Sequence, residues 1–437
     1  MEGKRLFMVG KALIVTVLSL IFVSAAWAIK SAKEYEFKGV PDGAQPNTGL
    51  ISDGAGNLYG TTTLGGENNK CGNANGCGVV FMLSRNQSQR WTKTLIYKFT
   101  NGPDGAYPQG NLTLDSMGRI YGTATGGGAN SSGTVFRLSP NQGGTWTEST
   151  LYSFRGASDG GQPAAGVILD SVGNLYGTTQ GGGICNPYCN GVVFKLALSN
   201  GQWTETTLYS FPNGSNEFAS GGLTFDDAGD LFGTKFVGGG AQCQCGIVFE
   251  LTPNQDGTWT ESDLHDFTFG LDGGGPSSGL TIDSAGNLYG ETLYGGSFAC
   301  PTSGCGVIFE LSPISGGWNY TVVYTFNGLN GSKGASPRGG LTIGSKGELY
   351  GTTWGGGDPS CFNGYGCGTI FKLFPKDGGG YSLSMIGRFD GANGSSPVGG
   401  VTTDAEGNLY GTASQGGDLS CSADFSTGCG VLFAITP

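Results

Sequence analysis

Histidine is nearly missing from this chain, which has one, His265, in 437 residues. A His-dependent nucleophile triad and a multi-His metal centre are therefore excluded. Charge is scarce too, at 13% of residues, about half the usual share. It leans acidic, with a net charge of −11, which argues against nucleic acid and anionic membranes as partners. No stretch of ten or more residues keeps a helical period. No glycine tract runs into Lys-Ser/Thr, so no phosphate loop is supported. Long apolar runs are missing apart from Ala12 to Val23, which is too short to favour a membrane span. It follows Lys4, Arg5 and Lys11 and precedes Ala26-Trp27-Ala28, a small-residue cleavage pattern. Residues 1–28 thus read as a secretory signal peptide. The mature chain, residues 29–437, is expected to be exported, periplasmic or extracellular, with no membrane span. Losing Glu2, Lys4, Arg5 and Lys11 takes its charge to −13.

Glycine, by contrast, is abundant, with 86 residues. Aromatic residues at 11% argue against disorder, so glycine here punctuates short strands. The stretch GNLYGTT at 56–62 recurs, and its central glycine is found at Gly60, Gly122, Gly177, Gly233, Gly290, Gly351 and Gly411. Seven copies fill the mature chain, and a fixed period of this kind marks a repeat architecture. The unit at 276–326 shows four strand-like runs: PSSGLTID, NLYGET, GVIFELSP and WNYTVVYTF. The expected fold is all-β: a seven-bladed β-propeller of four-stranded antiparallel blades. The second strands fall near 57–62, 119–124, 174–179, 230–235, 287–292, 348–353 and 408–413. The third strand keeps Phe at 81, 136, 194, 249, 309, 371 and 433, which is expected to pack between blades. The final repeat has no fourth strand of its own, and Glu34-Tyr35-Glu36-Phe37 resembles the ends of other fourth strands. Tyr35 to Phe37 is therefore expected to close the last blade, hiding an open edge.

Twelve cysteines form local pairs: Cys71 with Cys77, Cys185 with Cys189, Cys243 with Cys245, Cys300 with Cys305, Cys361 with Cys367, and Cys421 with Cys429. Each pair sits between the second and third strands, and the second repeat lacks both members. All-or-none pairing in an exported chain predicts local disulfides. Zinc is the rival reading, but the pairs lie on different blades and the chain has only one histidine. No metal and no cofactor is expected.

Strand parity puts the Cys loops and the blade-to-blade DG…P loops on one face, the expected binding face. Two residues break the repeat there. Glu291 stands where the other six copies have Thr, and Lys235 stands where they have Thr or Ala. An ion pair between them is the structural alternative to a binding role. Loop aromatics Tyr188, Phe236, Tyr294, Phe298, Trp354, Phe362 and Tyr365 suit sugar rings or protein hot spots. The ligand-binding candidates are Lys235, Phe236, Glu291, Tyr294, Trp354 and Tyr188. Only Glu291 is a candidate catalyst, because glycosidic cleavage needs carboxylates alone. His265 takes a position held by Tyr35, Tyr97, Tyr152, Tyr209 and Tyr324 in other copies, which reads as structural.

The unit DSAGNLYGTT…GG…GCGVVFKLSP…WTETTLYSF…DG resembles the Gloeobacter/Verrucomicrobia tandem repeat over about residues 34–437. The resemblance implies an exported bacterial protein with a propeller fold and supplies no catalytic residues. The functional expectation is a monomeric module that binds glycan or a surface protein through its Cys-loop face. The alternatives are a polysaccharide hydrolase or lyase using carboxylates, and a structural envelope protein.

Overall fold

The computed structural model describes residues 30–436, apart from residues 68–70, 72–74, 89, 186–188, 213–218, 220, 240–242, 298, 301–302, 329–333 and 422–427. Residues 1–28, assigned to the signal peptide, lie outside the described residues. Seven antiparallel sheets follow one another along the chain as the blades of a propeller. Blade three shows the plan. Its inner strand is Ile168–Leu169, its second Leu175–Thr178, its third Val192–Ser199 and its outer strand Gln202–Ser210. Blades two, five and six gain a three-residue strand from the incoming loop, at Ala106–Pro108, Gly274–Pro276 and Ala335–Pro337.

Burial follows position in the blade. Second strands such as Leu58–Thr62 are buried at every residue, because neighbouring blades cover both faces. Outer strands such as Trp91–Lys98 alternate between half-buried and exposed residues in their first half and are half-buried in their second. The inner strands are only two or three residues long, shorter than the sequence suggests, because backbones crowd there. A Cβ on Gly166 would come within 2.0 Å of the Asn111 carbonyl oxygen in the preceding blade.

The recurring phenylalanines do pack between blades. Each third-strand Phe meets a Phe that ends the outer strand of the blade before it. Phe99 lies 5.1 Å from Phe136, Phe154 5.1 Å from Phe194, and Phe211 5.5 Å from Phe249, all edge to face. The same contact joins Phe37 to Phe81 across the closure, at 5.2 Å.

Closure is as the sequence predicts. Lys30–Glu36 pairs antiparallel with Val431–Thr436, with Tyr35 opposite Leu432 and Glu36 opposite Val431. The Phe37 N–H donates to the Gly430 carbonyl at 3.0 Å. The N-terminal strand is thus the outer strand of blade seven.

The cysteine pairs are disulfides, as expected from their all-or-none occurrence. Cys71 is joined to Cys77, Cys185 to Cys189, Cys243 to Cys245, Cys300 to Cys305, Cys361 to Cys367, and Cys421 to Cys429. No free cysteine remains among the described residues. The second member of a pair stands just before the third strand, where Cys77, Cys245, Cys305, Cys367 and Cys429 are buried in the blade packing. Cys189 is the exception and stays exposed. Each bridge therefore ties a long loop to the start of a rigid strand.

The repeated turn aspartates are structural. Asp53 Oδ1 accepts the N–H groups of Ala55 and Asn57, while Oδ2 accepts the Asn57 amide and the Tyr59 hydroxyl. Asp170 and Asp283 repeat the arrangement with Tyr176 and Tyr289. Partial burial pushes the Asp53 carboxyl up, but the donors around it overcome this and hold it below its ordinary value. In blade six, Gly344 takes the aspartate's place and Glu348 accepts the Lys346 N–H instead.

Candidate functional site

The site is built where the seven inner strands converge. At each of five seams a second-strand Thr reaches into the next blade, Thr178 meeting the Gly221 carbonyl at 3.5 Å. Thr123 donates to the Ala165 carbonyl at 2.8 Å, Thr234 to Ser278 at 2.8 Å, Thr352 to Gly399 at 3.2 Å and Thr412 to Thr48 at 2.8 Å. Glu291 breaks the pattern: its Oε1 accepts the Gly340 N–H at 2.7 Å. Its Oε2 and the Ser278 Oγ are buried without a hydrogen bond of normal geometry among the described residues. Burial pushes the Glu291 carboxyl up to about 7, against the pull of the Gly340 N–H and the nearby Ser278 hydroxyl. Glu291 is 1% exposed, so its carboxylate sits within the wall of the ring.

Lys235 is also buried, at 2% exposure. It pairs with Glu261 at 2.6 Å and lies over the Phe211 ring at 5.0 Å, while Tyr209 donates to the other Glu261 oxygen. The ion pair expected between Lys235 and Glu291 is therefore replaced. Lys235 joins Glu261 on the outer strand, and Glu291 serves the next seam.

Inside the ring an axial cavity of about 810 Å³ opens on the loop face. Amides line its mouth, including Gln45, Asn47, Gln109, Gln180 and Gln415. Farther along, inner-strand glycines and small apolar side chains form the wall. Trp354 and Phe362 supply its aromatic side. Their rings lie 5.2 Å apart, and Tyr365 backs Trp354 at 5.8 Å. Phe362 begins a single 3-10 turn within the Cys361–Cys367 disulfide loop. Its φ of +48° is uncommon for a bulky residue and costs about 1–3 kcal/mol, the kind of strain found at binding loops. The disulfide loop thus holds Phe362 against Trp354.

Of the sequence candidates, Trp354 lines the cavity, whereas Lys235 and Glu291 are buried behind strands. Phe236 and Tyr294 form a second cluster: their rings are 6.1 Å apart, and Phe269 lies 5.7 Å from Tyr294. They pack over Gly275 on the blade five loop, away from the axial cavity. Tyr188 lies outside the described residues, as does Phe298. His265 takes the structural role of its Tyr counterparts. It bonds Asp272 at 3.3 Å, as Tyr97 bonds Asp104 at 3.0 Å, and stacks on Tyr320 at 3.7 Å. The disulfides shape the loop face but stay off the cavity surface: Cys77, Cys189, Cys245, Cys305 and Cys429, like their partners, are not among its lining residues.

Sequence reasoning missed the cavity glutamines and Arg338, the cavity's one charged lining residue among those described. The signal was the residue after each crossing proline: Asn47, Gln109, Ala164, Ser277, Arg338 and Val398. Only one of these carries charge. The six disulfides fit an oxidising, exported environment. Among the described residues, no cluster of three potential metal ligands occurs and no helix is long and apolar enough to cross a membrane.

The propeller is similar to several solved structures. An ulvan lyase, from a family of polysaccharide lyases, aligns with 11% identity over 93% of this chain and 96% of its own, at a TM-score of 0.51. An oxidoreductase from Thermus thermophilus, described as a glucose dehydrogenase, aligns with 15% identity over 74% of this chain and 94% of its own, at 0.42. At 11% identity the likeness to the lyase is one of fold alone. No curated protein matches the sequence. The Gloeobacter/Verrucomicrobia repeat profile matches residues 24–188, 71–304 and 185–425. The matches run through nearly the whole propeller, and the chain belongs to the Gloeobacter/Verrucomicrobia repeat family.

Proposed function

We propose that this protein is an exported binding module that takes a glycan in its axial cavity from the Cys-loop face. The observation that carries the reading is the aromatic wall of Trp354 and Phe362, set in a mouth of amides. Flat aromatic faces stack on the apolar faces of sugar rings, and convergent amides bind their hydroxyls. The loop cluster of Phe236 and Tyr294 is a second contact point for a long chain or for a protein partner. An exported module meets polysaccharides in the periplasm or beyond it.

A carboxylate enzyme is the second reading, favoured by the raised Glu291 carboxyl close behind the cavity wall. Its burial keeps it from substrate in this conformation. A panel of bacterial, plant and fungal polysaccharides tests both. Retention without release of reducing ends supports the binding module. Release that stops in Glu291→Gln supports the enzyme. Neither retention nor release overturns both and turns attention to a protein partner.

A further inference from the structure

The cavity's charge pattern narrows the class of glycan. The chain has 33 Asp and Glu, yet among its described lining residues the cavity has no carboxylate and one cation, Arg338. An acidic protein that keeps its carboxylates off one concave surface leaves that surface open to an anion. Exposed carboxylates farther than about 8 Å act there only weakly because salt screens them, and the buried Glu291 behind Gly340 is pushed by burial towards its neutral form. Arg338 is exposed and has no hydrogen bond or ion pair among the described residues. It lines the same cavity as Trp354. Pro337 is in register with Thr353, so Ser336 faces Trp354 and Arg338 follows two positions farther along the same strand pair. The corresponding described crossings carry Asn47, Gln109, Ala164, Ser277 and Val398, so among the described crossings only blade six brings a guanidinium to the cavity that Trp354 lines.

We infer that blade six forms an anionic-sugar subsite, in which a ring stacks on Trp354 while its carboxylate or sulfate ester pairs with Arg338. A guanidinium matches either anion with two parallel N–H donors. This rests on the axial glycan reading, and the experiment separates the two. Calorimetric affinities are compared within matched pairs: galacturonate oligomers against their methyl esters, glucuronoxylan against xylan, and sulfated against unsulfated galactan. The expected result is that at least one pair shows about tenfold tighter binding of the anionic member. The charged pair that responds identifies the anion. Arg338→Gln should abolish that preference, read as the ratio of the two affinities within the pair, while the melting temperature stays unchanged. Arg338→Lys should keep part of it. Trp354→Ala should weaken both members. Neutral members that bind as well as anionic ones, or a preference that survives Arg338→Gln, would overturn the subsite while leaving the axial reading standing. No binding of any member would overturn both.

Discussion

Glu291 shows what one side chain does in a seam built for threonine. Six blades use a neutral hydroxyl at this position, whereas blade five buries an acid whose second oxygen has only the nearby Ser278 hydroxyl. Its folded pKa, about 7, lies above the value of an unfolded Glu, about 4.3. The folded state therefore holds the proton more tightly. Stability is highest below about pH 4 for this group and falls as pH rises towards 7, where the buried acid ionises. Glu291→Gln removes that penalty. We expect the variant to melt higher than the parent at pH 8.5, by on the order of 3 kcal/mol at most, and the gap to shrink at pH 5. Thermal melts at the two values check this; a gap that does not change with pH would contradict it. Glu291 was visible in the sequence as a break in the Thr column, but its burial was not. A repeat break marks a changed environment without saying whether it faces solvent or the next blade. Arg338 was the converse, since it follows a crossing proline where the repeats have no fixed residue to break.

At the scale of the element, the outer strand explains how blades grip each other. Every outer strand carries a bulge at the same place. In blade one Tyr97 faces Val80 and Leu95 faces Phe81, leaving Ile96 extra. In blade three Tyr209 faces Val193 and Thr207 faces Phe194, leaving Leu208 extra. Bulges of this kind increase twist, and the outer strand then ends with a Phe against the next blade's third strand. The Phe column itself was legible, because one residue type recurs at one strand position. The bulge was not, since LYSF reads as an unbroken alternating strand. Phe194 is 0% exposed and sits against Phe154. We expect Phe194→Ala to cost about 3–5 kcal/mol, seen as a lower urea midpoint. An unchanged midpoint would show that the inter-blade Phe pair is not a main support. A crossing Pro docks just as closely: Pro163 lies over Gly133, whose φ is +93° and where a Cβ would meet Pro163 Cδ at 2.6 Å. The second-strand carbonyl lies as close, 2.6 Å from a Cβ on Gly133 and 1.9 Å from one on Gly191, where no proline docks; with the positive φ it accounts for the glycine before the third strand, which the sequence displays without its reason.

For the whole molecule, the ring depends on its N-terminal strand. Lys30–Glu36 closes blade seven, and Phe37 extends the Phe contacts from the last blade to the first. Deleting residues 30–38 should open the edge of Val431–Thr436 and lower the melting temperature by many degrees; a variant that melts with the parent would contradict closure by this strand. The number of blades, their strand order and this closure were readable because a repeat counts itself and a missing strand must be supplied from elsewhere. The axial cavity was less readable. It arises from seven short inner strands meeting around an axis, and no local pattern records that meeting. Trp354 was marked as a loop aromatic, yet only the ring places it beside Gln180, Gln415 and Arg338 on one concave surface. The most direct test of the account is affinity electrophoresis of the oxidised mature protein and its Trp354→Ala variant through gels containing the panel polysaccharides. At least one polymer should retard the parent, and the variant should lose about tenfold or more in affinity with an unchanged fold. Equal retardation of both proteins, or of neither, would contradict a glycan site in the axial cavity.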